Sequence, residues 1–157
     1  MQFRTNKIKL VAGVVGVLTV ATTLGLGATP ASAAEVHCAS FTWVQAGGSV
    51  SDDGSYYLHK PSTTANSGNY NCVVARGDHN YAVLALQETL ITCYSQNIQP
   101  DMDFGHATEQ AVKNAQTIIN GRWNAGLSAD GRFGPITSSW FSFKQYKQDG
   151  THTNGCF

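Results

Sequence analysis

Apolar residues recur at helical spacing in the second half of the chain and only weakly in the first. From residue 79 to about residue 94, an apolar residue returns every three or four positions, which predicts an amphipathic helix. Its apolar face comprises Val83, Leu86, Leu90 and Cys93. Asp78 precedes this segment, and its carboxylate could accept the free N–H groups of the first helical turn. We therefore predict a first helix over residues 79–94 with Asp78 as its N-cap.

Two further helices follow. The second opens after Phe104-Gly105 and is followed by a glycine-rich loop over residues 120–130. The third begins at Pro135, since proline suits the first helical position, and ends by about Lys147. The residues predicted to face inward from this third helix are Ile136, Trp140, Phe141 and Phe143. Three short helices with turns between them predict an all-α fold, a compact three-helix bundle.

A pattern of one turn followed by a helix occurs twice. The residues Asp101, Phe104, Gly105, Thr108 and Gln116 recur, each at the same distance, as Asp130, Phe133, Gly134, Thr137 and Gln145. This regularity indicates an internal repeat. We expect both phenylalanines to be core wedges. The side chains of Gln116 and Gln145 either crosslink the helices to loop backbone or donate to a ligand carbonyl.

The first 33 residues have the layout of a secretory signal peptide. A positive start with Arg4, Lys7 and Lys9 leads into an apolar run, and Ala31-Ser32-Ala33 supplies small residues for cleavage. We predict that the protein is secreted, extracellular or associated with the cell wall, with no membrane contact after cleavage. An uncleaved membrane anchor is the alternative.

Residues 34–72 are rich in Gly, Ser, Thr and Asn, which predicts an irregular strap with a short hairpin around Asp53-Gly54. An even number of cysteines in a short exported chain indicates two disulfides rather than a zinc site, because no Cys-x-x-Cys pair is present. We favour Cys38–Cys72 and Cys93–Cys156, since this pairing ties each end of the mature chain to its nearest ordered element. The other two pairings stay open.

Composition limits the partners and the chemistry. Without the three basic residues of the signal peptide, the chain has seven basic and ten acidic residues, a net charge of −3, with no basic patch. Nucleic acid is therefore disfavoured as a partner. The histidines are scattered, and Glu88 and Glu109 are predicted to face solvent on their helices. We accordingly expect no enzyme activity, no metal site and no cofactor.

The sequence resembles the peptidoglycan-binding-like domain family. The likeness rests on Val83-x-x-Leu86-Gln87-x-x-Leu90, Phe104-Gly105-x-x-Thr108 and Gly126-Leu127-x-x-Asp130-Gly131-x-Phe133-Gly134-Pro135, and covers about residues 73–146. The sequence departs from the family pattern at Asp101-Met102, where the family usually has Asp-Gly, and at His106, where proline is common. The resemblance implies a three-helix wall-binding domain over residues 73–157, with the disulfide-tethered strap in front.

The predicted function is a secreted, non-catalytic module that binds peptidoglycan, through its glycan or stem peptide, or a related wall component. Arg132 is the candidate to meet a stem-peptide carboxylate, with a solvated surface charge as the alternative. We expect Gln116 and Gln145 to donate hydrogen bonds, and Tyr146 or Trp123 to stack on sugar. A wall-acting enzyme is a further expected partner. The alternative function is a protein-interaction or inhibitor scaffold on the same bundle.

Overall fold

Four strands and three helices make up the part of the chain that the computed structural model describes, residues 34–46 and 56–157. The predicted signal peptide and the Asp53-Gly54 turn lie outside the described residues. The elements in chain order are β1 Ser40–Gln45, β2 Tyr56–Ser62, α1 Tyr81–Tyr94, α2 His106–Trp123, α3 Pro135–Trp140, β3 Lys144–Lys147 and β4 His152–Cys156.

The prediction of an all-α three-helix bundle is wrong, because the strands form an antiparallel sheet in the order β1-β2-β3-β4. Within the described part of the strap, two segments are strands where irregular structure was predicted. Strands β1 and β2 pair in antiparallel fashion from Ser40↔Ser62 to Gln45↔Tyr57, as the predicted hairpin requires. Strand β2 then pairs with β3, where Leu58 lies opposite Gln145. Residues from both ends of the described chain therefore share one sheet. The predicted domain boundaries after residues 33 and 72 stay predictions.

The third helix is shorter than predicted and ends at Trp140. Beyond it Phe141 and Phe143 are buried, whereas Ser142 between them is exposed. This alternation is strand-like, and the chain continues into β3 instead of another helical turn. The prediction that Ile136 and Trp140 face inward is also wrong, since they are 73% and 43% exposed.

The first helix begins two residues later than predicted, and Asp78 is not its N-cap. Asn80 takes that role in an extended conformation, and its Oδ1 accepts from Ala82 N at 2.9 Å and Val83 N at 3.2 Å. Asp78 instead accepts from Ala75 N at 2.8 Å, which fixes the loop before the helix. The second helix runs to Trp123, so part of the predicted loop is helical.

The core lies where the helices meet each other and the sheet. Phe104 and Phe133 are 0% and 2% exposed, which confirms them as core wedges. Other large buried side chains include Val74, Leu86, Leu90, Val112 and Ile119. Both favoured disulfides are confirmed: Cys38–Cys72 closes the N-terminal hairpin segment, and Cys93–Cys156 joins α1 to β4. Within the described residues, no helix is long and apolar enough to cross a membrane.

Candidate functional site

One buried glutamine holds the turn before α2, residues 101–108, which we call turn one. The Nε2 of Gln87 donates to Asp101 Oδ1 at 2.7 Å, to the Asp103 carbonyl at 3.1 Å and to Thr108 Oγ1 at 3.0 Å. Its Oε1 accepts from Met102 N at 3.0 Å. A single side chain from α1 thereby contacts four polar groups of the turn.

A second glutamine repeats this arrangement in turn two, residues 130–137. The Nε2 of Gln116 donates to Asp130 Oδ1 at 3.0 Å, to the Arg132 carbonyl at 3.0 Å and to Thr137 Oγ1 at 3.3 Å. Its Oε1 accepts from Gly131 N at 3.0 Å. Gln116 is only 1% exposed. Its side chain crosslinks α2 to the backbone of the turn, which is the first of the two alternatives given for this residue.

The repeat in the sequence is therefore longer than predicted. The separation of Gln87 from Asp101 equals that of Gln116 from Asp130. This equal spacing is visible in the sequence alone. Gln145 stands at the next interval, but it lies on β3 and no third turn follows it. There its backbone carbonyl accepts from Thr153 Oγ1 at 2.7 Å.

The two turns place one residue each in the left-handed region. Met102 has φ 65° and Gly131 has φ 78° at equivalent positions. A Cβ at Gly131 would lie 2.9 Å from the Glu109 carbonyl oxygen and 2.7 Å from its Cγ, so turn two requires glycine. Turn one tolerates methionine despite the cost of this backbone conformation. The departure from Asp-Gly at Asp101-Met102 thus leaves the turn geometry intact.

A cleft of about 270 Å³ opens beside turn two. Its lining includes Val73, Leu127, Asp130, Arg132, Pro135 and Ile136. A second hollow of about 270 Å³ shares Val73 and Pro135 with it and extends to Glu35 and Asn71. We call these two adjoining hollows the turn face. It combines an apolar floor with a few charged groups at the rim, the usual composition of a small-ligand site.

Arg132 is exposed on the turn face, and its guanidinium contacts the Glu35 carboxylate. The hydrogen bond to Glu35 raises the pKa of Arg132 above its ordinary value, so the side chain is charged throughout the physiological range. Both side chains are nearly half exposed, at 45% and 49%. Ion pairs of this kind contribute little to stability and exchange readily with other partners.

The remaining predicted site residues lie elsewhere. Trp123 is the last residue of α2 and is 65% exposed, whereas Tyr146 on β3 is only 2% exposed. The structure thus brings together Arg132 and Gln116 at turn two, but not Trp123, Gln145 or Tyr146.

The two glutamates expected to face solvent are both partly buried and have partners. The Tyr146 hydroxyl donates to the Glu88 carboxylate, a contact between β3 and α1 that the helical pattern alone did not reveal. Glu109 accepts from Lys113 at 2.7 Å, and this bond lowers the pKa of its carboxyl below the ordinary value. In the described part of the chain, no group of three or more His, Cys, Asp or Glu side chains could hold a metal ion.

The described chain thus combines a turn-and-helix unit that occurs twice with a small antiparallel sheet. Residues 79–140 match the family model of the putative peptidoglycan binding domain, which confirms the resemblance found in the sequence over this segment. The matched residues contain α1, α2 and α3 with both glutamine-held turns.

A crystal structure of a peptidoglycan-binding protein from Clostridioides difficile, in complex with glutamine hydroxamate, is also similar. The identity is 24% and the TM-score 0.40, over 62% of this chain and 54% of that chain. The chain thus spans about half the length of that protein. Comparison with curated proteins gives no match.

Proposed function

We propose that this protein is secreted and binds peptidoglycan, or a related cell-wall component, at the turn face without catalytic activity. The observation that carries the proposal is the position of the cleft. It borders turn two, which belongs to the segment matching the peptidoglycan binding domain, and an exposed arginine stands at its rim.

The turn face suits a stem peptide in its chemistry. An arginine guanidinium binds a carboxylate through two parallel hydrogen bonds, and peptide stems carry carboxylates. The apolar floor at Val73, Leu127 and Pro135 can cover the small aliphatic side chains of such a peptide. Since Glu35 already contacts Arg132, a ligand carboxylate has to displace it. That exchange costs little because the Arg132–Glu35 pair is exposed.

In this proposal the predicted ligand residues have different tasks. Gln116 holds turn two in shape, and Arg132 contacts the ligand. The exposed indole of Trp123 is the candidate for stacking on sugar beyond the cleft. The small net charge of the mature chain also suits a mixed-charge wall polymer better than a strongly anionic one.

Depletion from solution by purified wall sacculi tests the proposal. We expect the wild-type protein to be depleted at low and moderate salt, and Arg132→Ala to bind roughly tenfold more weakly, as for the loss of a charge-assisted hydrogen bond. Arg122→Ala is the matched control, because Arg122 is also exposed but lies at the end of α2. A suspension of walls should keep its turbidity when the protein is added.

Each outcome has a separate meaning. No depletion at either salt concentration ends the proposal and favours the protein-interaction or inhibitor scaffold, which predicts a discrete protein partner instead. If sacculi deplete Arg132→Ala and Arg122→Ala equally, the binding site does not lie on the turn face. Clearing of the wall suspension contradicts the absence of catalysis.

A further inference from the structure

A separate concavity, of about 290 Å³, lies between the sheet and α1. We call it the aromatic groove and define it by Trp43, Tyr81, Glu88, Tyr146 and His152. It has no lining residue in common with the turn face. Three of its five defining residues also lie outside the segment that matches the family model.

Two exposed aromatic side chains line the groove. Trp43 on β1 is 39% exposed and Tyr81 at the start of α1 is 58% exposed. The Trp43 ring is nevertheless held in place, edge-on to His59 at 4.3 Å and to Tyr57 at 5.9 Å between ring centroids. An aromatic surface fixed before binding loses little conformational entropy when a ligand stacks on it.

Below Trp43 the rings of three residues form a continuous stack. His59 lies between Phe41 and Tyr146, with centroid distances of 4.2 and 3.8 Å and interplanar angles of 19° and 16°. Burial, partly offset by Glu88, lowers the pKa of His59 to about 4, so this ring is neutral at physiological pH. The stack therefore gives the groove a rigid, uncharged base.

The groove offers one hydrogen-bond acceptor and one donor. The Tyr146 hydroxyl donates to Glu88 Oε2, and no described residue donates a hydrogen bond to Glu88 Oε1. Lys144 Nζ lies 2.8 Å from His152 Nδ1. Since an ammonium group can only donate, Nδ1 is the acceptor in this contact, which leaves Nε2 as the ring nitrogen that donates.

The charges near the groove nearly cancel. Glu88 supplies one negative charge, and Lys144, whose Nζ lies 5.1 Å from the centroid of the Tyr146 ring, supplies one positive charge. A ligand of either charge is attracted by one of these two groups and repelled by the other, so the groove favours neither an ammonium group nor an anion. A neutral ligand that has hydroxyl groups as well as an apolar face is repelled by neither group.

We propose that the aromatic groove is a binding site for a neutral saccharide unit. The apolar C–H face of a sugar ring packs on Trp43 and Tyr81, while its hydroxyls donate to Glu88 and accept from His152. The volume is near the lower limit of small-molecule sites, roughly 300 Å³, which suits one or two sugar rings. This inference goes beyond the proposed function because it assigns a ligand to a surface separate from the turn face.

The three tryptophans of the chain allow a direct test. Their positions are Trp43 in the groove, Trp123 at the end of α2 and Trp140 at the end of α3. The purified ¹⁵N-labelled protein is titrated with a soluble tetramer of β-1,4-linked N-acetylglucosamine while the indole N–H resonances are followed. We expect the Trp43 resonance to shift saturably and the Trp140 resonance to stay in place. The dissociation constant should be independent of salt because the ligand is uncharged.

Variants separate the groove from other surfaces. Tyr81→Ala removes an exposed ring that the core does not need, and should weaken binding by about tenfold, the loss of one aromatic contact. Glu88→Gln removes the acceptor charge at constant volume and should also weaken binding. Trp140→Ala removes an exposed indole at the end of α3; it is the matched control and should leave the dissociation constant unchanged. Dispersed amide spectra of all variants establish that they are folded.

Three results would overturn the inference: an unmoved Trp43 resonance, equal affinity of Tyr81→Ala and wild type, or a response to an alkylammonium probe but not to the oligosaccharide. The proposed function is tested separately, since sacculus depletion with Arg132→Ala concerns the turn face. Either proposal can fail while the other stands.

Discussion

The substitution Gln116→Met tests whether one glutamine holds turn two. Methionine has nearly the volume of glutamine, so the change leaves no sizeable cavity but removes the amide that donates to three oxygens and accepts from Gly131 N. Asp130 is exposed and can bind water instead. The buried Gly131 N–H loses its acceptor, and the Arg132 carbonyl keeps only Thr137 Oγ1 at 3.5 Å.

The expected loss follows from these orphaned groups. A buried polar group left without a partner costs about 1–3 kcal/mol. With one backbone donor fully unsatisfied and one acceptor partly so, we expect the free energy of unfolding to fall by about 2–4 kcal/mol. That is a large part of the roughly 5–15 kcal/mol by which a typical domain is stable.

Urea unfolding of the oxidised protein, followed by tryptophan fluorescence, measures this difference. Gln110→Met is the matched control, since Gln110 lies on the same helix but is exposed, and its effect should stay within about 0.5 kcal/mol. Gln87→Met should resemble Gln116→Met because the two glutamines hold equivalent turns. A loss below about 1 kcal/mol for Gln116→Met, or one equal to that of the control, would refute the reasoning.

Three further predictions concern pH, backbone conformation and the second disulfide. The pKa of His59 falls from 6.5 to about 4 on folding, so the unfolded chain binds more protons between these pH values and the stability of the protein rises with pH there. His59→Phe should flatten this rise, as urea unfolding at several pH values can show. An unchanged dependence of stability on pH would contradict the prediction. Gly131→Ala should destabilise by more than about 2 kcal/mol, whereas Met102→Gly should be neutral or stabilising by up to about 1 kcal/mol, as thermal unfolding can show. Replacing Cys93 and Cys156 by alanine should cost about 2–5 kcal/mol, and a melting temperature equal to that of wild type would argue against a structural role.

The helices and the repeat could be predicted because their signals are local. Helical periodicity located α1 and α2 to within a few residues, and the repeated spacing located both turns. The predicted N-cap was Asp78, whereas the observed one is Asn80. Both residue types suit that position, and the backbone conformation that decides between them is not visible in the sequence. Gln87 was missed although its spacing from turn one matches that of Gln116 from turn two.

The sheet could not be predicted because its strands are short and their partners are distant in sequence. Strand β2 contains Pro61, and the aromatic run from Phe141 to Tyr146 is compatible with either a helix or a strand. Only the pairing of β3 with β2 and β4 decides between them. The aromatic groove was missed for the same reason, since it exists only where this sheet meets α1.

The strand order has a consequence for folding. Neighbouring strands β2 and β3 are separated in sequence by all three helices, so their pairing closes a very long loop. Such closure is entropically costly, whereas the contacts between the helices and their turns join residues close in sequence. We therefore expect the helical segment to form first and to bring its two flanking segments together, so that the sheet assembles last. Slow folding steps should then respond to substitutions in β3 and hardly at all to substitutions in turn one.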